Sequence, residues 1–484
     1  MAQSSCVGRL FQEIAKNNPD RDAIVTDELS VSYSQLSDLV TAFTVRFTDF
    51  GVKQGSIVAI VTDDPLVAIS TVLATSLLGA QWVEANRVLA ETKPVQPTHF
   101  FKSPEAKGSK RVNFVELDMT WSAAPETLVR APEIATPGPA NDEETWLIVR
   151  ATGTTGTPRY VGFTQSNAIA RAHSVRDDFV EGFTRVACLF SCTAFPFITR
   201  ALAALLNGCT LVTSYDFRVW QKQKVNLVTG SPSQVADLLK GVTLYPKIAQ
   251  IHVGGGNMSE EICRSLLANF DHVVDLYSSA ERNRCFKNIR KLVASGEIMT
   301  FGKATDAIVE IVDKNGNPVT PPELGTVRVK NAYLAGGYLN DKDAEAEAFR
   351  DGWFYTGDIG TWGKNGELVI VGHGGEIASI NGLNVNLVLM DAVISSMPGV
   401  TAAAVFKNPR PSASEELIAF VATEPDADKN TIISEARTLC LANFGRQATP
   451  ARILPIDEIP VNLDGTPDRR TCIEIVKARQ GAHI

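Results

Sequence analysis

Leu147-Ile148-Val149-Arg150-Ala151-Thr152-Gly153-Thr154-Thr155-Gly156-Thr157-Pro158-Arg159 is a short apolar run that empties into a loop of threonines and glycines. The run reads as a buried strand and the loop as a cradle for phosphate. Backbone N–H groups and hydroxyls from Thr152, Thr154, Thr155 and Gly156 can wrap anionic oxygens, with the Arg159 guanidinium balancing charge. Pro158 stiffens the exit. The spacing is not that of a Walker loop, because no Gly-Lys-Ser/Thr follows. Taken alone, a flexible surface turn explains the same residues equally well.

The surroundings decide the fold class. Apolar runs at 57–61, 147–149, 186–190, 210–212, 227–229, 251–253 and 273–276 alternate with helical patterns at 165–178, 233–239 and 260–268. Such alternation implies sheets flanked by helices, an α/β architecture. Residues 65–83 carry no charge and approach membrane-spanning length. However, Ser70, Thr71, Thr75, Ser76 and Gly79 interrupt them, and Asp63, Asp64 and Glu84 flank them. A buried helix running into a short strand is expected, not a membrane span. Beyond Thr300 the texture becomes strand and turn, with Asn315-Gly316 between runs at 308–312 and 326–330 as a hairpin cue. A boundary falls at the glycines 372–375. It divides the chain into a large N-terminal α/β part with a β-subdomain (1–373) and a small α+β domain (376–484), each of ordinary size.

The totals narrow the function. At 484 residues, with 44% hydrophobic and 21% charged, this is a multi-domain globular chain. Lys plus Arg at 46 against Asp plus Glu at 54 leaves a net charge of -8, which excludes the basic footprint of a nucleic-acid binder. The eight cysteines form no Cys-x-x-Cys pair, and Cys188 with Cys192 cannot complete a zinc site. They read as reduced, buried thiols of a cytoplasmic protein. Residues 1–8 lack the basic stretch and apolar core of a signal peptide.

The loop 152–159 resembles the signature TSGTTGxPK of the adenylate-forming superfamily, which comprises acyl-CoA synthetases, adenylation domains and luciferases. Further segments follow in that superfamily's order. Residues 73–86 are similar to its early helix ending in Gly-Ala, and Gly254-Gly255-Gly256-Asn257-Met258-Ser259 to its adenine-side turn. Leu276-Tyr277-Ser278-Ser279-Ala280-Glu281 resembles YGxTE, and Phe354-Tyr355-Thr356-Gly357-Asp358-Ile359 resembles aromatic-x-TGDL. Residues 372–382 match the hinge motif in their glycines only, and 460–469 resemble the terminal PxTxxGKxxR.

The resemblance implies an enzyme with a mobile C-terminal domain that forms an acyl-CoA thioester in two half-reactions. A carboxylate attacks the ATP α-phosphate, giving an acyl-adenylate and pyrophosphate. After the small domain rotates, the thiol of coenzyme A attacks the activated carbonyl. By the same resemblance Tyr277 stacks on adenine, while Gly254, Gly255, Gly256 and Ser278 line its edge. Asp358 accepts hydrogen bonds from the ribose hydroxyls, and His373 approaches ribose or phosphate. Glu281 holds Mg²⁺ beside the phosphates. Structural readings stand beside these: a core tyrosine, a turn aspartate and a solvated glutamate.

Departures from the pattern carry equal weight. Thr466 stands where the superfamily has its adenylation lysine, the cation that bridges acid and α-phosphate. Losing such a preorganised donor lowers rates by about a hundred- to thousandfold. Arg159 replaces a lysine and keeps the charge. Ala280 replaces a threonine, His373 an arginine and Ser278 a glycine; Gly375 falls at the usual hinge residue. This pattern leads to an expectation of thioester formation with weak or absent adenylation, using an acyl-adenylate supplied by a separate adenylating enzyme. The alternatives are a complete ATP-dependent ligase with a substitute cation, and a non-catalytic adenylate-binding module.

Overall fold

The computed structural model describes residues 6–84, 95–107, 112–117, 121, 143–151, 159–254, 258–313, 315–339, 341–373, 376–380, 383–407, 416–461 and 467–481. The short apolar runs become parallel strands because each is followed by a helix that carries the chain back over the sheet. Arg185–Cys188, Thr210–Val212, Leu227–Gly230 and Ile248–Val253 run parallel in the centre of a nine-stranded sheet. Phe270–Ser279 joins parallel to Ile248–Val253, then turns back antiparallel as Asn283–Leu292 and Ile298–Ala304. A six-stranded sheet centres on Ile57–Val61, parallel to Gln81–Glu84 and His99–Lys102. Gln81–Glu84 lies parallel to Thr145–Ala151, which pairs antiparallel with Arg159–Thr164. Strands buried on both faces need no polar alternation, and so these runs were continuous in the sequence.

One apolar cluster, including Phe47, Trp82, Phe163, Phe197 and Ile198, joins the two sheets through their helices. At its centre lies the helix Pro65–Leu78, followed by the strand Gln81–Glu84, as the sequence implied. The Asp64 carboxylate caps the Leu66 and Val67 N–H groups, and residues 68–78 are buried without exception. Three of its four hydroxyls find side-chain partners: Thr71 and Thr75 receive the indole N–H groups of Trp82 (3.1 Å) and Trp146 (3.4 Å), and Ser76 bonds Gln165 at 2.5 Å, while the buried Ser70 Oγ has none among the described residues. No described helix is long and apolar enough to cross a membrane.

One local expectation is corrected. The helix expected over 165–178 stops at His173, and a short 3-10 turn follows at Arg176–Asp178. Asp178 is drawn instead to Lys287, with Nζ at 2.6 and 2.7 Å from its oxygens. The Asn315-Gly316 hairpin cue holds: Ile308–Val312 and Gly325–Lys330 are consecutive antiparallel neighbours, joined by a longer loop that contains this turn. The Asp313 carboxylate accepts the Asn315 and Asn317 N–H groups and closes the turn on itself, and Gly325–Lys330 returns later to pair with Ile308–Val312. This pair, with Trp353–Trp362, Phe349–Arg350 and Leu368–His373, forms a five-stranded sheet.

The small C-terminal α+β part has cores of its own, formed by residues between Ala378 and Val476. A hairpin, Ile377–Ile380 with Leu383–Asn386, leads into the helix Leu387–Ser395. Three strands follow, Val400–Lys407, Leu417–Thr423 and Arg452–Pro455, with the helices Lys429–Phe444 and Arg469–Gly481.

All eight cysteines are buried, and none forms a disulfide with another described residue. Burial pushes the Cys188 thiol up to about 11 and Cys192 to about 12, so neither is a thiolate at neutral pH. A disulfide dye titration of the native chain should therefore register almost no fast thiols, and all eight after denaturation. Rapid native labelling would contradict this burial.

Candidate active site

Sheet register assembles the first part of the site. Asp358 lies on Trp353–Trp362 and His373 on Leu368–His373, and the two are direct cross-strand partners. His373 Nδ1 is 3.1 Å from Asp358 Oδ1. Gly357 makes this possible: its φ is +76° and a Cβ there would lie 2.3 Å from the His373 ring. Tyr277, near the end of Phe270–Ser279, donates its hydroxyl to Asp358 Oδ2 and lies 3.1 Å from Thr356 Oγ1. Arg282 stacks 3.7 Å above the Tyr277 ring and reaches Asp358 Oδ2 at 3.5 Å. Sequence reasoning missed Arg282, which read as part of a solvated charged stretch.

Burial works to raise the Asp358 pKa, but His373, Arg282 and Tyr277 outweigh it and hold the carboxyl below its ordinary value. The Asp358 hydrogen bond in turn raises His373 above 6.5, against the effect of burial. A raised histidine stabilises the fold fully below its unfolded pKa, and loses that contribution as pH rises through the folded value. The melting temperature should thus show a component that declines above pH 6.5 and is absent in His373→Ala. Parallel melting curves for the two proteins from acid to alkaline pH would refute the pairing.

The second part forms around Glu281, in the turn between Phe270–Ser279 and Asn283–Leu292. Its Oε1 accepts the Tyr338 hydroxyl at 3.1 Å. The Arg159 guanidinium lies 5.3 Å from the centre of the same Tyr338 ring, with Nε 3.1 Å from Asp341. Tyr338 therefore links Arg159 to Glu281. Its signal in the sequence was the preceding Gly336-Gly337, because Gly337 adopts φ +127° and lets Glu345 accept the Tyr338 N–H. Beneath the turn, Arg171 donates to the carbonyls of Ala280 (2.8 Å), Glu281 (3.2 Å) and Tyr333 (2.9 Å). Burial pulls the Arg171 pKa down to about 9, with Glu281 opposing.

Gly254 packs beside Leu276 and Ser278, where an added Cβ would make only ordinary contacts, at 3.6 Å to Leu276 O and 3.9 Å to Ser278 Oγ. The residues Thr152, Thr154, Thr155, Gly156, Gly255, Gly256, Gly375 and Thr466 lie outside the described residues. Their neighbours are informative. Ala151 and Arg159 are cross-strand partners, so the Thr/Gly loop leaves and re-enters one hairpin end. Around position 466, Val461 bridges Pro467 and the Asp468 N–H bonds Pro460 O at 2.8 Å. Arg469 is held by Asp391, Nη2 to Oδ2 at 2.5 Å. Burial raises Asp391 to about 7, against the pull of Arg469 and the Val405 N–H.

A family profile described as "AMP-binding enzyme" matches residues 11–339, well over half of the chain. The chain belongs to the AMP-binding enzyme family. Curated relatives of this AMP-binding enzyme include the 2-succinylbenzoate–CoA ligases of Bacillus cereus (strain ATCC 10987 / NRS 248) and Bacillus mycoides (strain KBAB4). Each is 25% identical over 95% of this chain and 96% of its own length. Among solved structures, the o-succinylbenzoate CoA synthetase of Bacillus subtilis in complex with the acyl-adenylate intermediate OSB-AMP superimposes with a TM-score of 0.79. It shares 18% identity over 96% of this chain and 97% of that one. The amide bond synthetase of Marinactinospora thermotolerans gives 0.73 at 19% identity, covering 97% and 99% of the two chains. These likenesses establish the shared fold of this AMP-binding enzyme, and the family places it among adenylate-forming, CoA-ligase-type enzymes.

Proposed function

We propose that this chain forms acyl-CoA thioesters through an acyl-adenylate, and that it performs the thiol step far better than nucleotide activation. In this reading Tyr277 stacks on adenine, and the ribose hydroxyls replace Tyr277 and His373 as donors to Asp358. Glu281 fits a hard cation: it is buried, and Tyr338 engages only one of its carboxylate oxygens among the described residues. Mg²⁺ there would neutralise ATP phosphates when adenylation occurs. The thiol of coenzyme A attacks the acyl carbonyl, the carbon–oxygen bond to phosphate breaks, and AMP leaves. That step needs no cation at position 466. Eight buried cysteines outside disulfides favour a reducing, cytoplasmic setting.

One observation carries the reading: four described guanidiniums of the site already have partners. Arg159 is bound to Asp341, Arg171 to backbone carbonyls, Arg282 to Asp358 and the Tyr277 face, and Arg469 to Asp391. None of these four is left free to stand in for the lysine that Thr466 replaces. Supplying the purified chain with synthetic acyl-adenylate and coenzyme A tests the thiol step directly. Acyl-CoA is expected; AMP binding with no acyl-CoA from a broad acyl panel would reduce the chain to a binding module.

A second reading has one observation in its favour. The Arg159–Asp341 pair is only partly buried, with side-chain exposures of 23% and 30%. Solvent-screened pairs of this kind are weak, so Arg159 can leave Asp341 and serve as the substitute cation of a complete ATP-dependent ligase. Robust pyrophosphate release by the purified chain, abolished in Arg159→Met, would favour this reading over the first.

A further inference from the structure

Two buried guanidiniums near the site form no ion pair with a described residue. Arg284, three residues past Glu281 on the strand Asn283–Leu292, is 6% exposed. Its side chain makes no hydrogen bond or ion pair with a described residue, and its guanidinium lies 5.6 Å from the centre of the Phe179 ring. Arg200, 7% exposed on the helix Phe195–Leu206, touches only the hydroxyls of Thr229 and Thr199, each at 3.3 Å, and the Phe190 ring. Its charge acts on Arg284 and depresses it further, beyond the larger effect of burial.

The one carboxylate that also acts on Arg284, Asp178, is engaged by Lys287 at 2.6 Å. His252, fully buried in the same layer, is driven down to about 3 by burial and remains neutral. A buried charge without a partner is strongly unfavourable, and chains retain such groups where a ligand uses them.

Arg284 lines a recess whose other walls are mostly apolar: Phe163, Ala168, Phe195, Thr199 and Leu202. Arg171, which bonds the carbonyls of Ala280 and Glu281, lines it too, so the recess adjoins the Glu281 turn. It is narrow, about 20 Å³, room for one water. A larger group reaches Arg284 only as the lining side chains part.

We infer that the acid used by this chain carries a second anionic group, a carboxylate, and that Arg284, backed by Arg200, recognises it. The inference rests on the acyl-adenylate reading above and deepens it. The reacting carboxyl lies toward Glu281, the carbon skeleton passes along the apolar walls, and the distal carboxylate meets the guanidinium fork.

Acyl-sulfamoyl-adenosines, stable mimics of acyl-adenylates, separate the two claims. Adipoyl and 2-succinylbenzoyl versions, each with the distal carboxyl free or methylated, are titrated calorimetrically into the full chain and into Arg284→Met. The free-acid mimics should bind wild type about tenfold to a hundredfold more tightly than their esters. In Arg284→Met the preference should vanish, and that variant should melt no lower than wild type, because an uncompensated buried charge has gone. Arg284→Lys, should it fold better, retains part of the preference. Equal affinity of acid and ester for wild type overturns the inference but leaves adenylate binding intact. Failure of all four mimics to bind removes the acyl-adenylate reading and the inference together.

Discussion

Thr466→Lys raises pyrophosphate release from ATP and acid by about a hundred- to thousandfold, the range for restoring one preorganised charged donor to a transition state. The gain depends on where an ammonium at 466 would be held. The segment around it is pinned: Val461 bridges Pro467, Asp468 bonds back to Pro460, and Arg469 is clamped by Asp391 at 2.5 Å. Thr466→Ala should leave pyrophosphate release at its low wild-type level, because no role is assigned to the hydroxyl. Neither variant should alter acyl transfer from preformed acyl-adenylate by more than about twofold, since interactions absent from a step's transition state do not change its rate. A Thr466→Lys protein as inactive toward ATP as wild type would show that another departure, such as Ala280, limits activation.

The second large effect concerns Asp358. Asp358→Ala removes the only carboxylate that pairs with Arg282 among the described residues, and leaves a guanidinium whose side chain is 8% exposed without a counter-charge. Breaking a buried pair from one side costs about 3–5 kcal/mol, measurable as a lower denaturant midpoint. The same change releases Tyr277 and His373 from their shared acceptor, so AMP affinity should fall by about tenfold or more. Asp358→Asn separates the two consequences: it keeps an acceptor for one donor but loses the charge that Arg282 and His373 see. Wild-type stability together with wild-type AMP affinity in Asp358→Ala would detach this cluster from nucleotide binding.

How much of this was legible in the sequence follows from which residues carry local constraints. Parallel strands such as Ile57–Val61 and Thr210–Val212 were visible because strands buried on both faces are unbroken apolar runs. The buried helix Pro65–Leu78 was distinguishable from a membrane span by its hydroxyls, three of which engage Trp82, Trp146 and Gln165. The terminal helix Arg469–Gly481 escaped because its apolar stripe is thin: Cys472 and Val476 are its buried hydrophobic residues. Asp358, Tyr277 and Glu281 stood out through ordered motifs. Arg282, Tyr338 and Arg171 did not, since their importance lies in contacts made across 76, 57 and 110 positions. Arg284 was equally hidden. In sequence, Glu281-Arg282-Asn283-Arg284 looks like a solvated charged turn, and only the packing of Phe195–Leu206 against it reveals that both arginines are buried.

The central claim, that activation is starved while thiol capture is spared, is tested most directly by one paired assay. Purified chain receives either ATP, acid and coenzyme A, or the matching acyl-adenylate and coenzyme A, and acyl-CoA formation is compared acid by acid, with 2-succinylbenzoate in the panel. The account predicts that the second mixture outpaces the first by about a hundredfold or more. Equal rates from the two mixtures would contradict it.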